Sequence, residues 1–140
     1  MANVSHSNGV SDLGRLILRL SLGIIMLLHG IAKITGGVAG IVGMVSKAGL
    51  PGFLGYFVYV GEVLAPILLI IGLWTRPAAL VIVINMIIAV ALAHRGDLLA
   101  LNEQGGWELE LQGMFLSTAL AIALLGAGRY SLGGARGRFN

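Results

Sequence analysis

Four runs in this sequence are long and apolar enough to span a lipid bilayer, and a bilayer accepts few kinds of structure. They extend from about Leu13 to Ile34, Phe53 to Trp74, Pro77 to Ala93 and Trp107 to Leu125, close to the roughly 20 apolar residues a crossing helix needs. Inside hydrocarbon every backbone N–H and C=O must be paired within the protein, so such runs are helices. The expected fold is an all-α membrane protein, a bundle of four transmembrane helices forming a single domain over residues 1–140.

Composition agrees. Of the 140 residues, 57% are hydrophobic and 11% charged, and the mean hydropathy is +0.94, too apolar a balance for a water-soluble domain of this size. The absence of cysteine excludes disulfides, thiolate catalysis and cysteine-held zinc or iron–sulfur clusters within this chain. The net charge of +3 is modest, and without a basic run or aromatic platform it offers no footing for nucleic acid. The residues before the first span carry little positive charge, and Arg19 interrupts the apolar run. The segment therefore reads as a retained span, not a cleaved leader.

The connections differ in character. Residues Val38 to Ala48 are too short to cross and too apolar for a free loop; they predict a short interfacial helix, stopped by Gly49 and Pro51. Thr75 and Arg76, just before Pro77, leave only a tight turn, so the second and third spans are antiparallel neighbours. Pro77 suits a first helical turn, where its missing N–H costs nothing. The loop from His94 to Gly106 is the most polar, and the tail at residues 133–140 is basic and expected to be flexible. Arg15, Arg19, Arg76, Arg129, Arg136 and Arg138 fall on one side of the four spans, and Lys33, Lys47 and Arg95 on the other. Six against three puts both termini in the cytoplasm by the positive-inside rule.

Depth then organises the polar residues. His29 lies fourteen residues after Arg15, roughly 21 Å along a helix rising about 1.5 Å per residue. Lys33 follows one turn later; Glu62, His94, Trp107 and Glu108 fall at the same outer end of the other three spans. Arg15, Arg19, Leu22, Met26, His29 and Lys33 share one helical face. Glu62 precedes Pro66 by four residues, which predicts a kink beside the carboxylate. Asn85 lies nine residues before His94, half a rotation away, so those two are expected to face different neighbours. Charged groups are costly at the bilayer centre, about 2.5–3.5 kcal/mol each, which argues for an internal cavity shared by these side chains.

Each residue also has a bland reading. Lys33 can snorkel to the headgroups, Trp107 can belong to an aromatic belt, and His94 can be merely interfacial. Arg95 and Glu110 read as solvated charges. Arg76 reads as a headgroup anchor or a cap on helix carbonyls. No histidine pair has metal-ligand spacing, so no metal site is expected. His29 and Glu62 are the hardest to place outside a cavity.

The ordered segments "LGRLILRLSLGIIMLLHGIAKITGG", "AGLPG", "GEVLAPILLIIGLWTRPAAL", "NMIIAVALAH", "GGWELEL" and "LLGAGRYSLGG" resemble the DoxX family of small four-helix membrane proteins. The resemblance spans Leu13 to Leu132 and picks out His29, Gly30, Lys33, Glu62, Thr75, Arg76, His94, Trp107, Glu108, Arg129 and Tyr130 as family-pattern positions. Gly133 departs from it, standing where an acidic residue is expected. Family members are associated with thiosulfate:quinone oxidoreduction and with complexes that handle oxidative stress or sulfur compounds. The resemblance thus implies a bacterial inner-membrane protein, a subunit of a quinone-linked redox system with an outer-leaflet pocket. His29, Lys33 and Glu62 would hold the ligand, with His94, Trp107 and Glu108 at its entrance and Arg76, Arg129 and Tyr130 as structural anchors. A quinone is the expected cofactor; a redox partner protein or a second copy of the chain is the expected partner besides lipid. A non-catalytic scaffold and a small-molecule transporter stay open as rivals, as does catalysis by the chain itself.

Overall fold

In the computed structural model, which describes residues 9–140, the apolar runs fold as helices, though not all with the expected ends. The polar N-terminal residues 1–8 lie outside the described residues. Helix α1 spans Gly9–Gly36, starting earlier than hydropathy alone predicts. Its first turn holds Asp12, which is buried and paired with Arg15 at 2.9 Å and Arg129 at 3.6 Å. An acid there also complements the positive end of the helix dipole. Helix α2, Ala39–Lys47, occupies the expected short segment and ends where Gly49 turns left-handed at φ +81°.

Helix α3, Gly52–Ile71, corrects the picture of a regular span running to Trp74. It begins as a 3₁₀ helix over Gly52–Phe57, widens to a π-helix over Val60–Leu64, and becomes α-helical over Ala65–Ile71. Pro66 supplies the reason. Without an N–H it cannot bond the carbonyl of Glu62 four residues back, and the ladder upstream shifts to the longer π pattern. The irregularity therefore sits on Glu62 itself. Gly72, at φ +70°, ends the helix by donating its N–H to Leu68 at 2.9 Å. Trp74 completes the turn into α4 at φ 48°, a left-handed conformation that few non-glycine residues adopt.

Helix α4 runs Thr75–Ala93 with Pro77 in its first turn. Helix α5 runs Glu110–Leu125, 16 residues, shorter than the expected run from Trp107. Trp107 instead pairs with Leu101 in an isolated antiparallel bridge, which folds the loop between α4 and α5 back on itself. Among the described residues α1, α3 and α4 are long and apolar enough to cross a membrane; α5 is apolar but shorter.

The helices follow one another antiparallel and share one core: Leu22 and Met26 of α1, Ala65 and Leu69 of α3, Ala79 and Ile82 of α4, Phe115, Ala119 and Ile122 of α5. Small residues on α4 and α5 allow their backbones to approach, and this is the most extensive helix contact in the molecule. The outward surface is studded with Ile17, Ile24, Leu28, Ile84, Ile87 and Leu124, all exposed. That inverts the pattern of a water-soluble protein and matches a lipid-facing surface.

Arginines knit the opposite end together. Arg19, fully buried, donates from Nη1 to the carbonyl of Leu69 at 3.3 Å and from Nη2 to Tyr130, capping the last turn of α3. Arg76 donates to Ala123 at 2.8 Å and Leu124 at 3.0 Å, capping α5. Arg129 stacks on the ring of Tyr130. The tail, expected to be flexible, is folded back: Asn140 accepts from the Thr75 hydroxyl at 2.9 Å, and the Asn140 carbonyl accepts from Arg76 at 3.0 Å.

Candidate functional site

A cavity of about 520 Å³ opens between α2, α3 and α4 at the end remote from the termini. Ile41, Met44, Leu54, Val58, Ile88 and Leu92 are among its apolar walls, and its polar lining consists of Lys33, Glu62, Asn85 and His94. Lys33 Nζ forms an ion pair with Glu62 Oε2. Asn85 donates to the other carboxylate oxygen, Oε1, at 3.3 Å. The Glu62 side chain is 7% exposed and that of Lys33 28%, so the carboxylate is the more buried partner, and both residues line the cavity. Both carboxylate oxygens thus have donors, the condition under which a charge persists away from water.

Local sequence explains the placement. Gly30 lies directly against the Glu62 backbone carbonyl, and a methyl group there would overlap it. This close approach sets Lys33, one turn on, over the Glu62 carboxylate. Gly61 plays the matching part toward α4: an added Cβ would lie 2.6 Å from Asn85 Cγ. The Tyr59 hydroxyl donates to the Lys33 carbonyl at 3.2 Å, tying α1 to the irregular part of α3. At the far side of the cavity His94 Nδ1 lies 3.1 Å from Asp97 Oδ2, which leaves its other ring nitrogen for the cavity.

Several sequence expectations need correcting here. His29 does not join Lys33 and Glu62. Its Nδ1 donates to the carbonyl of Ile25 at 2.9 Å, and its ring meets Phe115 of α5 edge-on, centroids 5.6 Å apart. His29 and Lys33 are four residues apart, only about 40° around the helix, and that offset is enough for the imidazole to meet Phe115 of α5 while the lysine meets Glu62 of α3. Trp107 lines a separate groove between α4 and α5. Glu108 is exposed and lines neither cavity. Asn85, expected to face away from His94, lines the same cavity. A cavity along α4 is tall enough to receive residues from more than one turn. Asn85, Tyr59 and Asp97 were not singled out as site residues. The lone amide midway along an apolar span was the available signal for Asn85; Tyr59 and Asp97 carried none. Among the described residues no group of three or more His, Asp or Glu side chains is arranged to hold a metal ion.

An all-helical chain with apolar outer faces and one buried ion pair at a cavity wall defines a helical membrane protein with an internal polar site. The DoxX family model matches residues 14–95, more than half of the chain, and the protein belongs to that family. A Bacillus subtilis (strain 168) protein named "Putative oxidoreductase CatD" is 28% identical over 116 residues, which is 83% of this chain and 81% of that one. No solved structure matches. The matched segment contains Lys33, Glu62, Asn85 and His94, whereas Trp107 and Glu108 lie beyond it.

Proposed function

We propose that this protein is a multi-pass subunit of a quinone-linked redox system in a bacterial inner membrane, and that the cavity at Lys33 and Glu62 binds a quinone or a similar ring compound. The reading takes α5 as a fourth span, 16 residues or about 24 Å, extended to the surface by Trp107 to Leu109. It places both termini in the cytoplasm and the cavity in the outer leaflet. Membership of the DoxX family and similarity to a protein named as an oxidoreductase support the redox class.

One observation carries the ligand assignment: a satisfied ion pair on the wall of a largely apolar cavity. Apolar walls accept a ring and its tail, and a few placed polar groups orient it. A bound quinone supplies two-electron, two-proton chemistry; the chain supplies no thiol to carry electrons, so these come from a partner protein. Lys33 donates a hydrogen bond to a ring oxygen and stabilises negative charge that develops there. Glu62, held by Lys33 and Asn85, accepts or returns a proton within the cavity. His94, oriented by Asp97, is placed to exchange protons between the cavity and the outer surface.

Titrating the purified protein with a short-chain quinone tests this. Wild type should bind about tenfold or more tightly than a Lys33→Ala/Glu62→Ala double variant, the loss expected for hydrogen bonds to charged groups. Equal binding by the two would refute the pocket.

A further inference from the structure

The end of the molecule opposite the Lys33–Glu62 cavity carries six arginines and a single carboxylate side chain, Asp12. Asp12 is fully buried and shared by Arg15 and Arg129. Arg19 and Arg76 donate to helix carbonyls. Arg136 and Arg138 are exposed, and among the described residues neither meets a carboxylate within ion-pair distance. No Asp or Glu follows Glu110 in the sequence, and none lies between Glu62 and Asp97. Neither the tail nor the turn between α3 and α4 can therefore neutralise them.

These cations sit on an ordered support. Leu132 N–H donates to Ile71 at 3.0 Å, Gly133 N–H to Gly72 at 2.9 Å, and Arg76 N–H to the Phe139 carbonyl at 3.1 Å. The tail is thereby bound over the α3–α4 turn, and Asn140 fastens it to the Thr75 hydroxyl. Two aromatic residues stand on the same cap. Trp74, at φ 48°, and Phe139, at φ 67°, are the two non-glycine residues with left-handed backbone among the described residues. Such a conformation is strained for a bulky side chain and persists only where the surroundings hold it. Both rings are nonetheless exposed, Trp74 by 59% and Phe139 by 53%. The Arg138 guanidinium lies 5.1 Å from the centre of the Phe139 ring.

We infer that this cap binds an anionic phospholipid, with Arg136 and Arg138 on the headgroup phosphate and Trp74 and Phe139 against the upper acyl chains. Charge complementarity selects the headgroup: a net negative one neutralises the free arginines, whereas a zwitterionic one brings its own ammonium into their field. Exposed rings beside guanidinium groups suit the boundary between headgroups and hydrocarbon. Ile71 and Leu73, exposed next to Trp74, lead into the lipid-facing side of α3, which favours lipid over a soluble acidic partner. In the proposed orientation the cap meets the cytoplasmic leaflet, the more anionic one. The inference does not depend on what fills the Lys33–Glu62 cavity.

The sequence has two tryptophans, so Trp107→Phe leaves Trp74 as a reporter on the cap. The variant is reconstituted in bilayers and quenched with lipids brominated near the carbonyl end of their acyl chains. Brominated phosphatidylglycerol should reach half-maximal quenching at about one twenty-fifth the mole fraction needed by brominated phosphatidylcholine, roughly fivefold for each of two arginines. Arg136→Gln and Arg138→Gln should each reduce that preference about fivefold, and the double variant should abolish it. Arg136→Lys/Arg138→Lys should retain it, which separates charge from folding, and Arg95→Gln at the opposite end should leave it unchanged. Equal quenching by the two lipids, or a preference that survives the double Gln variant, overturns the inference. Displacement of the brominated lipid by inorganic phosphate would make the cap a site for a soluble anion and overturns it too. So does no quenching by either lipid, the result expected if a protein partner covers Trp74.

Discussion

Lys33 and Glu62 form one unit but are not equivalent, because their burial differs. Removing Lys33 strands a carboxylate that is 7% exposed; removing the Glu62 charge strands an ammonium that is 28% exposed and can shift toward the surface. Lys33→Met should therefore destabilise the protein more than Glu62→Gln, by about 2 kcal/mol or more, as expected when a buried ion pair loses one partner. The Lys33→Met/Glu62→Gln double variant should recover most of that loss. Thermal or denaturant unfolding in detergent completes the cycle, and additive single effects would show that the pair is not coupled. Asn85 belongs to the same unit through its bond to Oε1, while His29, bonded to Ile25 and packed on Phe115, belongs to the α1–α5 contact.

The irregular helix α3 shows how a backbone feature creates a site. Pro66 disrupts the α-helical ladder, the π segment Val60–Leu64 accommodates the disruption, and Gly30 lets α1 sit directly on the displaced Glu62 carbonyl. Gly30→Ala should push α1 away from α3 and separate Lys33 from Glu62. The overlap is with backbone, which cannot rotate aside, so the expected loss is in the overpacking range of about 1–3 kcal/mol. Gly14, around which no atom lies within 4 Å of an added Cβ, is the control: alanine there should be neutral or slightly stabilising. Comparing the melting temperatures of the two variants measures the difference directly.

Across the whole molecule, polarity is segregated. One end holds Arg15, Arg19, Arg76 and Arg129 with the folded-back tail; the other holds the ion pair, the His94–Asp97 pair and the acidic loop. This arrangement defines an orientation that can be tested cleanly, since the chain has no cysteine of its own. Leu99, 96% exposed in the loop between α4 and α5, and Leu132, 78% exposed near the tail, serve as single-cysteine positions. In intact cells Leu99→Cys should react with a membrane-impermeant maleimide, and Leu132→Cys should react only after permeabilisation. The reverse result would place the cavity at the cytoplasmic face.

The helical fold and its membrane setting were legible in the sequence because hydropathy and length are local quantities: 57% hydrophobic residues in long runs leave few alternatives. The Lys33–Glu62 neighbourhood was legible too, since an ionisable residue in such a run must find an internal partner. Which residues completed it was not. The difference between His29 facing α5 and Lys33 facing α3 is one of rotation about α1, decided by how Gly30 docks on α3. Asn85 joined the carboxylate, and Trp107 a groove of its own, because the helix packing, not the order of residues, sets which faces meet. Hydropathy counts how many groups must be buried; only the packed helices determine which of them are buried together.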